Sequence, residues 1–129
     1  MAVNYTCKTS KELKSVIKNN TIVVLKLGAQ WCQPCKEIAP MFNQIAINVH
    51  TNINKVLKDL ANKPTISFYS IDIDNICEDN NLKWSEFFNC SGVPMFILFF
   101  NGKTFDTIIG GDINKVSDLI ENLIQQSLP

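Results

Sequence analysis

Trp31-Cys32-Gln33-Pro34-Cys35-Lys36 lies between two apolar segments of different period. Before it, Thr21-Ile-Val-Val-Leu-Lys-Leu27 is apolar and β-branched, which reads as a buried strand. After it, Ile38, Met41, Phe42 and Ile45 recur at helical spacing. The two cysteines therefore fall where a strand hands over to a helix. The first turn of a helix has backbone N–H groups without intrahelical partners and the positive end of the dipole, so it favours an anion. A thiolate is such an anion, and Pro34 suits a first turn because its missing N–H costs nothing there. Lowering the pKa of Cys32 from about 8.5 to about 7 raises its thiolate share at pH 7 from roughly 3% to roughly half, for about 2 kcal/mol. Only the thiolate attacks a disulfide. Two cysteines at this spacing can close a small disulfide of their own, and the expected cycle is attack by Cys32, a mixed disulfide, and resolution by Cys35.

The same Cys-x-x-Cys spacing also provides half of a tetrahedral zinc site. A closed site would need a second pair, and Cys77 and Cys90 do not form one by spacing. A metal-binding protein using Cys32 and Cys35, alone or across a dimer, stays open as a rival reading. So does a redox-inactive binding module.

The chain has 129 residues, which predicts one domain over residues 1–129 with a single sizeable core. Twelve lysines balance twelve acidic residues and there is no arginine. That composition offers little to nucleic acid, whose recognition uses a basic face and bidentate arginine. The first eight residues lack a charged-then-apolar leader pattern, and no apolar run approaches the ~20 residues of a membrane span. Five cysteines, an odd number, argue against a secreted disulfide framework and for a reducing compartment, so a cytoplasmic location without membrane or nucleic-acid partners is expected.

Working outward, Thr9-Ser-Lys-Glu12 has capping-box spacing and predicts a helix from about 9 to 19, ended by Asn19-Asn20. Beyond the cysteines the helical pattern passes Pro40 and continues through Val49, Ile53, Val56 and Leu57. That is either one long helix or two, broken near His50 to Asn52. His50, the single histidine, reads as a helix surface residue. Thr65 to Ile71 is a second strand, and residues 75 to 91 predict a short helix with Phe87 and Phe88 in the core. Trp84 fits either packing or a partner surface. Met95 to Phe100, Asn101-Gly102 and Lys103 to Ile109 predict a β-hairpin, Asn-Gly being a strong turn signal. Gly110-Gly111 follows, and Asp112 caps a closing helix whose apolar stripe runs from Ile113 to Ile124.

Taken together, the Trp-Cys-x-Pro-Cys-Lys motif after a core strand, Val93-Pro94 before an apolar strand, the Asn-Gly hairpin and the closing helix resemble the thioredoxin family. The resemblance covers most of the chain. It implies an α/β fold with a mixed central sheet flanked by helices, here with an extended second-helix region. It implies a thiol-disulfide oxidoreductase that reduces disulfides in protein substrates and binds no cofactor. Electrons would come from an NADPH-dependent thioredoxin reductase or from glutathione, the former favoured because Pro34 adjoins the second cysteine. It further implies that Pro94 follows a cis bond facing the cysteines, that Trp31, Gln33, Pro34, Val93, Pro94 and Gly110 line the substrate groove, and that Asp74 pairs with Lys36.

Three positions depart from the family pattern. Lys26 stands where thioredoxins usually bury an acidic residue, Gln33 replaces the commonest glycine, and Met95 replaces threonine. A lysine at position 26 would stabilise a thiolate as a cation, act when neutral as a base toward Cys35, or extend its stem to bring the ammonium to solvent. Cys7, Cys77 and Cys90 are expected to be buried, inert thiols.

Overall fold

A computed structural model describes residues 4–128. Part of the N-terminal stretch read for a leader, Met1 to Val3, lies outside the described residues. Strand β1 (Ile22–Gly28) is central: the sheet runs β2 (Ile66–Asp72), β1, β5 (Met95–Phe100), β6 (Lys103–Ile109). β1 is parallel to β2 and antiparallel to β5, and β6 is antiparallel to β5. A parallel pair needs a crossover, and the helix after the cysteines supplies it. A strand with a helix layer on each face is apolar along its length, which is why Thr21 to Leu27 reads as an unbroken run rather than an alternation.

The alternation survives in where the side chains go. Val23, Leu25 and Leu27 join Leu13, Trp84, Ile97 and Phe99 in one core layer, under α1 (Ser10–Asn19) and α3 (Trp84–Phe87). Ile22 and Val24 join Phe42, Phe68, Phe96, Leu98, Val116 and Ile120 in the other, under α2 (Gln33–Val56) and α4 (Ile113–Ser127). Lys26 follows the second set onto the α2 face.

The helix ends follow their capping residues. Thr9 accepts the Glu12 N–H at 3.0 Å, completing half of the capping box. The carboxylate of Glu12 turns instead to the Cys7 thiol. The first turn of α1 is also held from outside, because Asp79 accepts from the N–H groups of Ser10 and Lys11. The extended second region is one helix of 24 residues that carries Pro40 within it. It does not break at His50 to Asn52, since Ala46 and Ile53 are buried and Val49 packs beside them in one continuous stripe. His50 packs edge-on against Phe68.

Residues 75 to 91 contain the expected short helix, preceded by a hairpin that the sequence did not announce, β3 (Ile76–Cys77) with β4 (Leu82–Lys83). Phe87 and Phe88 are only half-buried; the core position belongs to Trp84, against which both phenylalanine rings pack. Packing is therefore Trp84's role, and it offers no face to a partner. Asn101 and Gly102 both have positive φ, as a two-residue hairpin turn of this type requires. Asp112 accepts the Lys115 N–H at 3.1 Å and starts α4. Among the described residues no helix is long and apolar enough to cross a membrane.

Candidate active site

Cys32 is the N-cap of α2, and its Sγ accepts the backbone N–H of Cys35 at 3.2 Å. Pro34 sits in the first turn, as its lost N–H permits. Cys32 and Cys35 are joined by a disulfide, with Cα atoms 5.3 Å apart. Both are nearly enclosed, at 5% and 6% exposure. Gln33 and Pro34 are exposed above them, and Trp31 is 68% exposed. The pair thus lies just beneath a rim of accessible residues. The end of β1 passes alongside: a Cβ added at Gly28 would lie 3.6 Å from Cys35 Sγ.

The opposite wall comes from the start of β5. The Val93–Pro94 bond is cis, and the Val93 carbonyl oxygen lies 3.8 Å from Cys32 Sγ. Gly110 donates its N–H to the Pro94 carbonyl at 2.8 Å, at a φ of 108° that disfavours residues with a side chain. A Cβ at Gly111 would approach Pro94 Cγ at 3.9 Å. Val93, Pro94 and Gly110, read from sequence as groove residues, therefore meet at the cysteine end of the sheet. Exposed Ile109 adds an apolar side chain beside them, which the sequence reading did not single out.

Lys26 is 8% exposed, and its Nζ lies 5.0 Å from the centre of the Phe42 ring. Only a small part of the side chain reaches the surface, because α2 covers that face of the strand. Burial pushes its pKa below the ordinary lysine value. It lines a cleft of about 340 Å³ together with Gly28, Cys35, Lys36, Ser70 and Asp72.

The expected Lys36–Asp74 pair does not form. Asp74 Oδ2 instead accepts the Trp31 indole N–H at 2.8 Å, and the Asp74 N–H donates to Asp72 Oδ1 at 2.9 Å. A flat indole fixed by the preceding loop meets the carboxylate more readily than a long, solvated lysine whose exposed pairing gains little. The signal was present in Asp72-x-Asp74, but nothing in the spacing told the indole from the ammonium. The other cysteines are free: Cys7 and Cys77 are buried, and Cys90 is half-buried. Burial, with Glu12 beside it, pushes the Cys7 thiol up to about 12. Cys77 is likewise raised by burial and donates to Asp79 at 3.1 Å.

Comparison with known proteins places this arrangement. The thioredoxin family model matches residues 4–125. Thioredoxin-1 of Schizosaccharomyces pombe is 30% identical over 115 residues, covering 87% of this chain and 90% of that one. Thioredoxin 1 of Plasmodium falciparum is 28% identical over 110 residues, covering 85% and 88%. Among solved structures, Schistosoma mansoni thioredoxin superposes with a TM-score of 0.68 at 28% identity, over 92% of this chain and 94% of that one. Malassezia sympodialis thioredoxin shares the fold with a TM-score of 0.72 at 24% identity, over 95% and 91%. The chain belongs to the thioredoxin family and, with its Cys32–Cys35 pair, is a thiol-disulfide oxidoreductase acting as a protein-disulfide reductase.

Proposed function

We propose that Cys32 is the nucleophile and Cys35 the resolving thiol in reduction of protein disulfides. The observation that carries this assignment is the N-cap position of Cys32, whose sulfur already receives the Cys35 N–H at 3.2 Å. The same N–H and helix terminus stabilise the sulfur once reduction leaves it as a thiolate. The Cys32 thiolate attacks one sulfur of the substrate disulfide, that S–S bond breaks, and the other substrate sulfur leaves as a thiolate. Cys35, deprotonated, then attacks Cys32 Sγ; the second substrate sulfur departs and two electrons have passed to the substrate.

Trp31, Gln33, Pro34, Val93, Pro94 and Gly110 form the groove for an extended substrate segment, with backbone pairing beside the cysteines. Asp74 holds the Trp31 ring in place, and Lys36, in the first turn of α2, adds positive charge near the thiolate. Electrons return through an NADPH-dependent thioredoxin reductase in preference to glutathione, a reading supported by the proline adjoining Cys35. The protein works as a single domain in the cytosol, carrying electrons for cell redox homeostasis; five cysteines with only one disulfide fit a reducing compartment.

The test is a redox titration of the purified chain, with free thiols alkylated and read residue by residue by mass spectrometry. A reversible two-electron couple confined to Cys32 and Cys35, near or below about −230 mV, is expected. In parallel, Cys35→Ser should accumulate a mixed disulfide with a disulfide-bonded protein substrate, and Cys32→Ser should not. A trapped adduct on Cys35 in place of Cys32 would reverse the assigned roles.

A further inference from the structure

Lys26 is the only charged residue among the described residues with under a tenth of its surface exposed. A buried ammonium is costly unless a partner compensates it. Among the described residues no carboxylate makes an ion pair with it. Its strand neighbours are the uncharged Ser70 on β2 and Phe96 on β5, and its ammonium rests on the face of Phe42. The π face offsets part of the cost of a cation, but it holds no full charge.

The geometry supplies a partner that exists only in the reduced protein. Lys26 and Gly28 point to the same face of β1, about 6.6 Å apart at the strand's rise. Cys35 Sγ lies 3.6 Å from where the Gly28 Cβ would be. The four-carbon lysine stem spans a gap of this size by rotation of its own torsions. Lys26 and Cys35 also line the same cleft. The other charged groups on that cleft, Lys36 and Asp72, are of opposite sign. They leave no net charge to displace the interaction.

We propose that Lys26 is a positioning residue for Cys35: in the reduced protein its ammonium holds the Cys35 thiolate as an ion pair. This rests on the resolving role assigned to Cys35. In the oxidised protein there is no anion beside it, and burial lowers the Lys26 pKa below the ordinary lysine value. On reduction, the Cys35 S–H proton leaves through the cleft to solvent, and the thiolate pairs with the Lys26 ammonium. In the resolving step the Cys35 electron pair forms the bond to Cys32 Sγ, and the substrate sulfur leaves with the pair from the broken bond. The ammonium is then again without an anion, and the departing substrate thiolate takes its proton from solvent.

The test uses the full chain. In a Cys32→Ser background, Cys35 alkylation by iodoacetamide is followed against pH by peptide mass spectrometry, with Lys26 intact or replaced in Lys26→Met, an apolar side chain of similar length. Lys26→Met should raise the midpoint of Cys35 alkylation by one pH unit or more. With Cys32 present, it should lower the potential of the pair by about 30 mV, tenfold in the exchange equilibrium. On the unaltered chain, the Lys26 Cε resonance should titrate at a higher pH in the reduced than in the oxidised state. A Lys26 midpoint independent of redox state, or an unmoved Cys35 profile beside an intact Cys32–Cys35 couple, overturns the Lys26 role alone. Absence of any reversible couple in the unaltered chain defeats the assigned cysteine roles, and this proposal with them.

Discussion

Five cysteines share one chemistry, and position alone divides them. Cys32 has a helix terminus beside its sulfur, whereas Cys7 lies in the core with the Glu12 carboxylate against its thiol. Burial and a neighbouring negative charge both disfavour the thiolate, so Cys7 keeps its proton up to about pH 12. In the unfolded chain a cysteine releases its proton near pH 8.5. Between those values the folded state binds more protons than the unfolded state, so stability falls as pH rises. The contribution is whole below about pH 8 and declines through the alkaline range. The stability difference between wild type and Cys7→Ala, from urea melts at stepped pH, should therefore shrink steadily above about pH 9. A constant difference would mean that Cys7 ionises in the folded protein as it does in the unfolded one. The pairing of Cys32 with Cys35 was legible in the sequence because the spacing itself carries it. The Trp31–Asp74 bond was not, because spacing alone does not show which donor reaches a loop carboxylate.

At the scale of elements, local signals were readable wherever a run exceeded one period of its own structure. The Thr9 cap, the Asn-Gly turn and the Asp112 cap are of that kind, whereas the apolar spacing of α2 showed helix without deciding between one helix and two. The β3–β4 hairpin was not readable, since two-residue strands contain no alternation to detect. That hairpin nevertheless presents Asp79 to α1, where it accepts from the Ser10 hydroxyl at 2.7 Å and the Ser10 N–H at 2.9 Å. These bonds hold the Asp79 carboxyl well below the usual carboxylate range. A depressed carboxylate contributes stability that is complete above its unfolded pKa of about 3.9 and is lost as pH falls through the folded value. The gap in urea midpoint between wild type and Asp79→Asn should be constant above about pH 5 and narrow progressively as pH falls below about 4. A gap that persists in acid would assign the effect to geometry and not to charge. The second half of α2 gives a different contrast, because Ile53 is buried against α4's layer while Val56, three residues on, is 72% exposed. Ile53→Ala should cost about 2–3 kcal/mol and Val56→Ala under about 0.5 kcal/mol in chemical denaturation. Equal small costs would show that the extension of α2 is only loosely attached.

Across the whole molecule, the order of apolar runs gave the mixed sheet and its two helix layers, since each run had one sensible partner layer. Lys26 broke the pattern, and its surroundings were not legible because they depend on α2 crossing that face of β1. Those surroundings also bear on global stability. Folding, reduction, unfolding and oxidation form a closed cycle, so the potential of the pair in the folded protein and the stability gap between oxidised and reduced forms report one free energy. Each 30 mV by which folding lowers the potential relative to the unfolded chain adds about 1.4 kcal/mol to the stability of the oxidised form over the reduced. A reductase releases electrons readily because its folded state favours the disulfide, and urea melts should find the oxidised protein more stable than the reduced. The helix terminus at Cys32 and the Lys26–Cys35 pair both stabilise thiolates and therefore oppose that gap, so Lys26→Met should widen it. A reduced form more stable than the oxidised would mean that thiolate stabilisation dominates, and the protein would then deliver disulfides to its substrates in place of removing them.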